Sequence, residues 1–166
     1  INPILNADVI ISLPKLKTHA MTSYTGAVKN LFGTIPGTYK AELHFRLNER
    51  KTFCSMLVDL HECVKPTLSI MDAVWGMEGN GPSGGKPRFI GTLIGGINPY
   101  AVDMVCASII SLKPSDIFML ASAMERGLSP KTVEEIEILG LPLSHTDITD
   151  FLPPQSKSSD LIQYMP

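Results

Sequence analysis

A chain of 166 residues, 44% hydrophobic and 18% charged, suits one soluble globular domain with a core of its own rather than a disordered segment. The net charge is −2 and no apolar run approaches the roughly 18–20 residues needed to cross a bilayer, so neither a membrane span nor a strongly basic nucleic-acid binder is expected. Three cysteines (Cys54, Cys63 and Cys106) without C-x-x-C spacing argue against a disulfide framework, a zinc site or cluster ligation here, and buried free thiols are expected.

In chain order, Asp8–Leu13 is a short, nearly continuous apolar run, the pattern of a strand buried on both faces. Pro14 stops it and leaves Lys15, Leu16, Lys17, Thr18 and His19 at its C-terminal end. A helix is predicted from about Ser23 to Phe32, ended by Gly33, Pro36 and Gly37, with a long loop over 33–48. Over 49–65, Phe53, Met56, Leu57, Leu60 and Val64 fall on one stripe of a 3.6-residue period, which predicts a helix. Pro66 ends it, and a second buried strand follows over Leu68–Ala73. A glycine-rich loop over 77–88 leads to a third strand, Phe89–Gly95.

Asn98-Pro99 then marks a helix start, with the amide as cap and proline in the first turn. Another helix is expected over Ser115–Arg126, capped by Ser115 and closed by Gly127. Val133–Leu139 fits either a strand or a helical turn. Residues 152–166 read as a polar, proline-rich tail following a single domain of residues 1–151. Strands interspersed with helices indicate an α/β layered domain with a mainly parallel sheet flanked by helices. Because the chain opens on Ile1 rather than Met, it is expected to be a piece of a longer protein, which we place in the cytoplasm.

The charge is unevenly placed. Residues 15–51 hold seven Lys or Arg against two Glu, whereas residues 116–150 hold seven Asp or Glu against two cations. A basic N-terminal third points to an anionic ligand or partner. In open α/β sheets ligands gather at the carboxyl ends of strands, and both Lys15–His19 and Asp72–Arg88 occupy such ends.

Gly79, Gly81 and Gly84 spell G-x-G-x-x-G, but the third glycine leads into a strand-like run instead of the helix that a dinucleotide site requires. A P-loop fails as well. Setting Lys86 as its lysine puts Asn80 at the first glycine and Pro87 at the magnesium-binding hydroxyl. What the loop offers is close backbone approach at Gly79 and Gly81, with Glu78 and Asn80 flanking.

At the other strand end, Lys15, Lys17 and Lys29 are candidates to hold an anion, with Thr18, Asn30, Gly79, Asn80 and Gly81 as further ligand-binding groups. Lys17, His19 and Glu78 are the candidate catalytic residues. A desolvated lysine can carry a proton or attack a carbonyl, imidazole can act as acid or base, and a carboxylate can move protons. Asp72 and Glu78, with His19, suit a divalent metal ion. Thr22, Ser23 and Thr25 add hydroxyls nearby.

Three stretches, LPKLKTHAMTSYTGAVKNLFG (13–33), MDAVWGMEGNGPSGGKPR (71–88) and NPYAVDMV (98–105), together resemble the domain-of-unknown-function 362 family, and the likeness runs from about residue 5 to residue 140. That family occurs in bacterial and archaeal proteins, many described as iron–sulfur cluster-binding because a cysteine-rich ferredoxin-like segment is joined to the domain. The resemblance implies a link to electron transfer in the parent protein. The family's upstream strand–helix portion and its cluster-ligating cysteines have no counterpart here, so any iron–sulfur cluster would belong to a separate segment. The matched motif positions are Lys15, Lys17, Thr18, His19, Lys29, Asn30, Asp72, Glu78, Gly79, Asn80, Gly81, Pro82 and Asp103.

The resulting expectation is an enzyme-like domain that binds an anionic small molecule, with Lys17 and Glu78 opening onto one hollow. The alternative is a non-catalytic interaction module docking an acidic or ferredoxin-like partner through the basic segment.

Overall fold

The computed structural model describes residues 2–146 and 148–155. The chain begins with a short helix, α1 (Asn2–Leu5), and two short strands, β1 (Ile11–Ser12) and β2 (Lys15–His19). A tight turn leads to β3 (Ser23–Thr25), and helices α2 (Ala27–Asn30), α3 (Gly37–Arg46) and α4 (Arg50–Val64) follow. Two long strands, β4 (Leu68–Glu78) and β5 (Lys86–Gly96), precede α5 (Pro99–Ile109) and α6 (Phe118–Glu125). The architecture is α/β: an open five-stranded sheet flanked by helices.

Strands β1, β2 and β4 run in one direction, so the sheet is mainly parallel, while β3 pairs with β2 and β5 pairs with β4 in antiparallel fashion. β1 and β2 lie along successive stretches of β4, with Ile11 opposite Leu68, Lys15 opposite Asp72 and Lys17 opposite Met77. Between them Pro14, which has no N–H to give, still accepts from the Asp72 N–H at 2.8 Å.

The apolar stripe of α4 does what its period requires. Phe53, Leu57 and Val64 are buried, and Met56 and Leu60 pack against the same cluster. Lys65 ends the helix in the left-handed region and Pro66 prevents its continuation. At α5 the Asn98 side chain accepts from the Tyr100 and Ala101 N–H groups, satisfying two donors that the helix itself leaves free.

Several expectations are corrected. The Asp8–Leu13 run is not buried on both faces: only Ile11–Ser12 is strand, and Val9, Ile11 and Leu13 are exposed. On that side of the sheet Trp75, Phe89 and Leu93 are exposed too, so the apolar run faces no covering layer among the described residues. In place of a helix over Ser23–Phe32 there is β3, then α2, then a 3-10 turn over Leu31–Thr34. Pairing with β2 holds residues 23–25 extended, and an anchor from elsewhere in the chain starts the helix only at Ala27.

The expected loop over 33–48 contains α3. Pro36 stands at its N-cap position, where a proline can start a helix as readily as end one, and His44 stacks on Phe53 with ring centroids 4.6 Å apart. The helix expected over Ser115–Arg126 is shorter, because Pro114–Asp116 is a 3-10 turn and the Ser115 hydroxyl bonds Asp116 rather than capping. Gly127, at φ +70, does close it. Val133–Glu135 is a 3-10 turn. Cys54 and Cys106 are buried thiols, but Cys63 is exposed. Most of the 152–166 tail lies outside the described residues.

β4 reaches Glu78, five residues beyond the predicted end, and this decides where the candidate carboxylates lie. A register shift between Ala73 and Trp75 interrupts its pairing with β5, where Gly91 takes φ +78. Ser69, Met71 and Ala73 are buried before the shift, whereas Gly76 and Glu78 are buried after it. A bulge of this kind re-aims every later side chain. Without it Glu78 would share a face with Asp72.

Candidate functional site

The two strand ends singled out from the sequence are adjacent. Lys17 lies opposite Met77, the Ala20 N–H donates to the Gly81 carbonyl at 3.2 Å, and the Thr18 hydroxyl donates to the Met77 carbonyl at 3.4 Å. A Cβ on Gly81 would run into the Thr18 carbonyl, so glycine is what lets the loop close onto β2.

Adjacent backbones do not bring all the candidate side chains together. Leu16 and Thr18 are fully buried, which by strand alternation puts Lys15, Lys17 and His19 on the other face of β2. Glu78 takes the face opposite to Met77, the partner of Lys17. Its Oε2 accepts from the Leu152 N–H at 3.2 Å and lies 3.8 Å from an Arg88 guanidinium nitrogen. Arg88 in turn meets Asp150. The Gly79 N–H donates to the Leu152 carbonyl at 2.7 Å, and the Asn80 side chain accepts from the Gln155 N–H at 3.0 Å. Glu78, Gly79 and Asn80 are thus occupied in clasping residues 150–155.

Asp72 is also engaged. It accepts from the Lys15 ammonium at 2.8 Å and from the Val74 N–H at 3.0 Å, contacts that hold its carboxyl below the usual range. Both partners are about half exposed, so this pair contributes little to stability. Asp72 and Glu78 are separated by six steps of β4, about 20 Å along a strand. No group of three or more His, Cys, Asp or Glu suited to a metal ion occurs among the described residues. Asn30 donates to the Ser12 hydroxyl at 3.0 Å.

What the fold does assemble is a group of cations. Lys29 is only 9% exposed, and no carboxylate pairs with it among the described residues. Its ammonium sits 5.5 Å from the centroid of the Phe32 ring, a cation–π contact. Burial, and next the charge of Lys17, bring its pKa down to about 8. His19 is brought down to about 3, by burial first and then by the charges of Lys29, His44 and Lys17. Its Nδ1 accepts the Met21 N–H at 3.1 Å, so the proton of the neutral ring is on Nε2. His44 is lowered as well, by burial and by Lys29.

Lys29 is carried to this place by a long-range anchor. Asp103 on α5, fully buried, accepts from the Ala27 N–H at 2.6 Å, the Val28 N–H at 3.1 Å and the Tyr24 hydroxyl at 3.1 Å. The carboxylate thereby caps the start of α2 from a different helix. Burial raises its pKa to about 6, opposed by these same hydrogen bonds. Asp103 is among the motif positions of the family resemblance, but no local pattern in the sequence shows that it anchors another helix. His44 stands isolated in the sequence, and only the packing of α3 brings it near Lys29.

Lys17, Lys29 and Glu78 line neither of two surface clefts formed by the described residues. One of them, about 390 Å³, is lined by Ala20, Ser23, Arg50, Lys113 and Ile117 among others. It reaches the neighbourhood of neutral His19, because Ser23 and His19 face each other across β2 and β3.

The family described as a domain of unknown function, DUF362, matches residues 1–108. A thylakoid-associated protein of Synechocystis sp. is 42% identical over 142 residues, which cover 85% of this chain and 43% of the relative. The chain therefore spans less than half the length of that relative. No solved structure matches. Among the described residues no helix is long and apolar enough to cross a membrane.

Proposed function

The chain belongs to the DUF362 family, and we propose that it binds an anionic small molecule at the group formed by Lys17, His19 and Lys29. One observation supports this above the others: a nearly buried ammonium, Lys29, has no carboxylate partner among the described residues and has further cations for neighbours. Burying an unpaired charge costs several kcal/mol, and a fold that keeps such a group stands to recover that cost when an anion arrives. The cleft beside Ser23, lined by Arg50 and Lys113 against one carboxylate, Asp116, offers the ligand an approach with a net positive charge.

In this reading Lys17 and Lys29 provide charge, and the Nε2–H of neutral His19 provides a directional donor. Glu78, which faces Arg88 and the 150–155 segment, serves the fold. The test is an amide chemical-shift titration with sodium sulfate at constant ionic strength. Saturable shifts concentrated at His19, Thr25 and Lys29, and absent in Lys29→Met, are expected. Weak, unsaturating shifts spread over the surface lysines would reject the site.

A further inference from the structure

Thr25 is 9% exposed, and its hydroxyl oxygen is buried without a hydrogen-bond partner among the described residues. Native structures seldom leave such a group unsatisfied, because an unmade buried hydrogen bond costs about 1–3 kcal/mol. The strand pairing shows which side chains share the face of this hydroxyl. Thr25 lies directly opposite Lys17 in the antiparallel β2–β3 pair, and residues so paired project to the same face with Cβ atoms roughly 5 Å apart. His19 and Ser23 form the next pair on that face. Lys29 stands four residues beyond Thr25, in the short helix α2.

We infer that Thr25 is a ligand-binding residue, and that the anion it meets with Lys17, Lys29 and His19 is a phosphoryl group: a tetrahedral dianion such as the head of a phosphate monoester. The inference rests on the anion-binding reading above and narrows it. Lys17 and Lys29, neither of them ion-paired with a carboxylate among the described residues, match two negative charges. The donors are two ammonium groups, one hydroxyl and one imidazole N–H, which suits three or four oxygens better than the two of a carboxylate. The group also lacks an arginine, whose planar fork is the usual match for a planar carboxylate, while lysine serves phosphate as a point charge. Thr25 adds a short neutral donor; its oxygen is buried, so neighbouring side chains must shift to admit the ligand.

The experiment is calorimetric titration of the intact 166-residue chain at matched ionic strength. The ligands are inorganic phosphate, phenyl phosphate, acetate and benzoate, with vesicles containing phosphatidic acid as a separate arm. Phosphate and phenyl phosphate should bind at least roughly tenfold more tightly than either carboxylate, in line with a hydrogen bond to a charged group. Thr25→Val should remove most of that preference and Thr25→Ser should keep it. Because the wild-type hydroxyl has no protein partner among the described residues, Thr25→Val should melt no lower than wild type, so lost binding would not reflect lost folding. Binding to vesicles but to neither soluble phosphate would assign the group to a lipid headgroup and keep the phosphoryl chemistry.

Carboxylates binding as tightly as phosphates, with Lys29→Met abolishing both, would overturn this inference and leave the anion site standing. Unchanged phosphate affinity in Thr25→Val would reduce the hydroxyl to one satisfied by water. Failure of every anion to bind would remove both proposals.

Discussion

The carboxylate of Asp103 and the backbone N–H of Ala27, seventy-six residues apart in the chain, are joined by a 2.6 Å hydrogen bond that fixes where α2 begins. This contact links core packing to the candidate site, since Lys29 is two residues further along the same short helix. Replacing Asp103 by Ala leaves two helix N–H groups and the Tyr24 hydroxyl without an acceptor. A loss of about 2–4 kcal/mol is expected in chemical denaturation. Asp103→Asn, which retains one acceptor oxygen, should lose less.

Gly26 is held to glycine by the same arrangement. An added Cβ would strike the Asp103 carboxylate and the Tyr24 ring, both buried. Gly26→Ala should therefore cost about 1–3 kcal/mol or more through overpacking. Gly33→Ala is the control. Nothing lies within 4 Å of a Cβ at that position, and the substitution should be neutral or slightly stabilising. Equal melting temperatures for the two variants would contradict the packing described here.

Lys29 should destabilise the protein that carries it. Its pKa falls to about 8 in the folded chain from an ordinary 10.5, through burial and the facing Lys17 and Lys40 charges, with Cys54 acting the other way. Between those two values the unfolded chain binds more protons than the folded one, so stability rises with pH across that window. Lys29→Met should accordingly be more stable than wild type at pH 7, by an amount of order 2 kcal/mol, with the gap closing by about pH 10.5. Gained stability together with lost anion binding is the signature of a residue kept for function. Lost stability at pH 7 would make Lys29 a support of the fold.

Glu78→Gln or Glu78→Ala should act on the 150–155 segment. The carboxylate is 7% exposed and holds the Leu152 N–H while facing Arg88. A cost of about 1–3 kcal/mol is expected, with faster amide exchange at Leu152 and little change in anion affinity. Lost anion binding without faster exchange at Leu152 would return Glu78 to the ligand site.

Trp75, the one tryptophan of the sequence, is 52% exposed and touches Phe89 with ring centroids 5.1 Å apart. Its fluorescence should be red-shifted and readily quenched by acrylamide. Leu93→Lys, on the same open face at 64% exposure, should change stability by no more than about 0.5 kcal/mol. A blue-shifted, protected tryptophan would show that the face is covered in solution.

The sequence by itself determined what depends on near neighbours. The 3.6-residue stripe from Phe53 to Val64, the Asn98-Pro99 start of α5 and the Gly127 stop are local matters of period, capping and backbone freedom, and each is found where its residues place it. The motifs around Lys17 and Gly81 likewise marked two strand ends that do touch. Tertiary structure alone decided which side chains converge. Strand alternation is a parity, and the bulge near Ala73 reverses it, burying Glu78 away from Lys17. The Asp103 anchor, the unpaired charge of Lys29 and the unsatisfied hydroxyl of Thr25 are likewise invisible to local pattern. Each depends on what lies across a strand pair or in another helix, and on which partners the packed interior withholds.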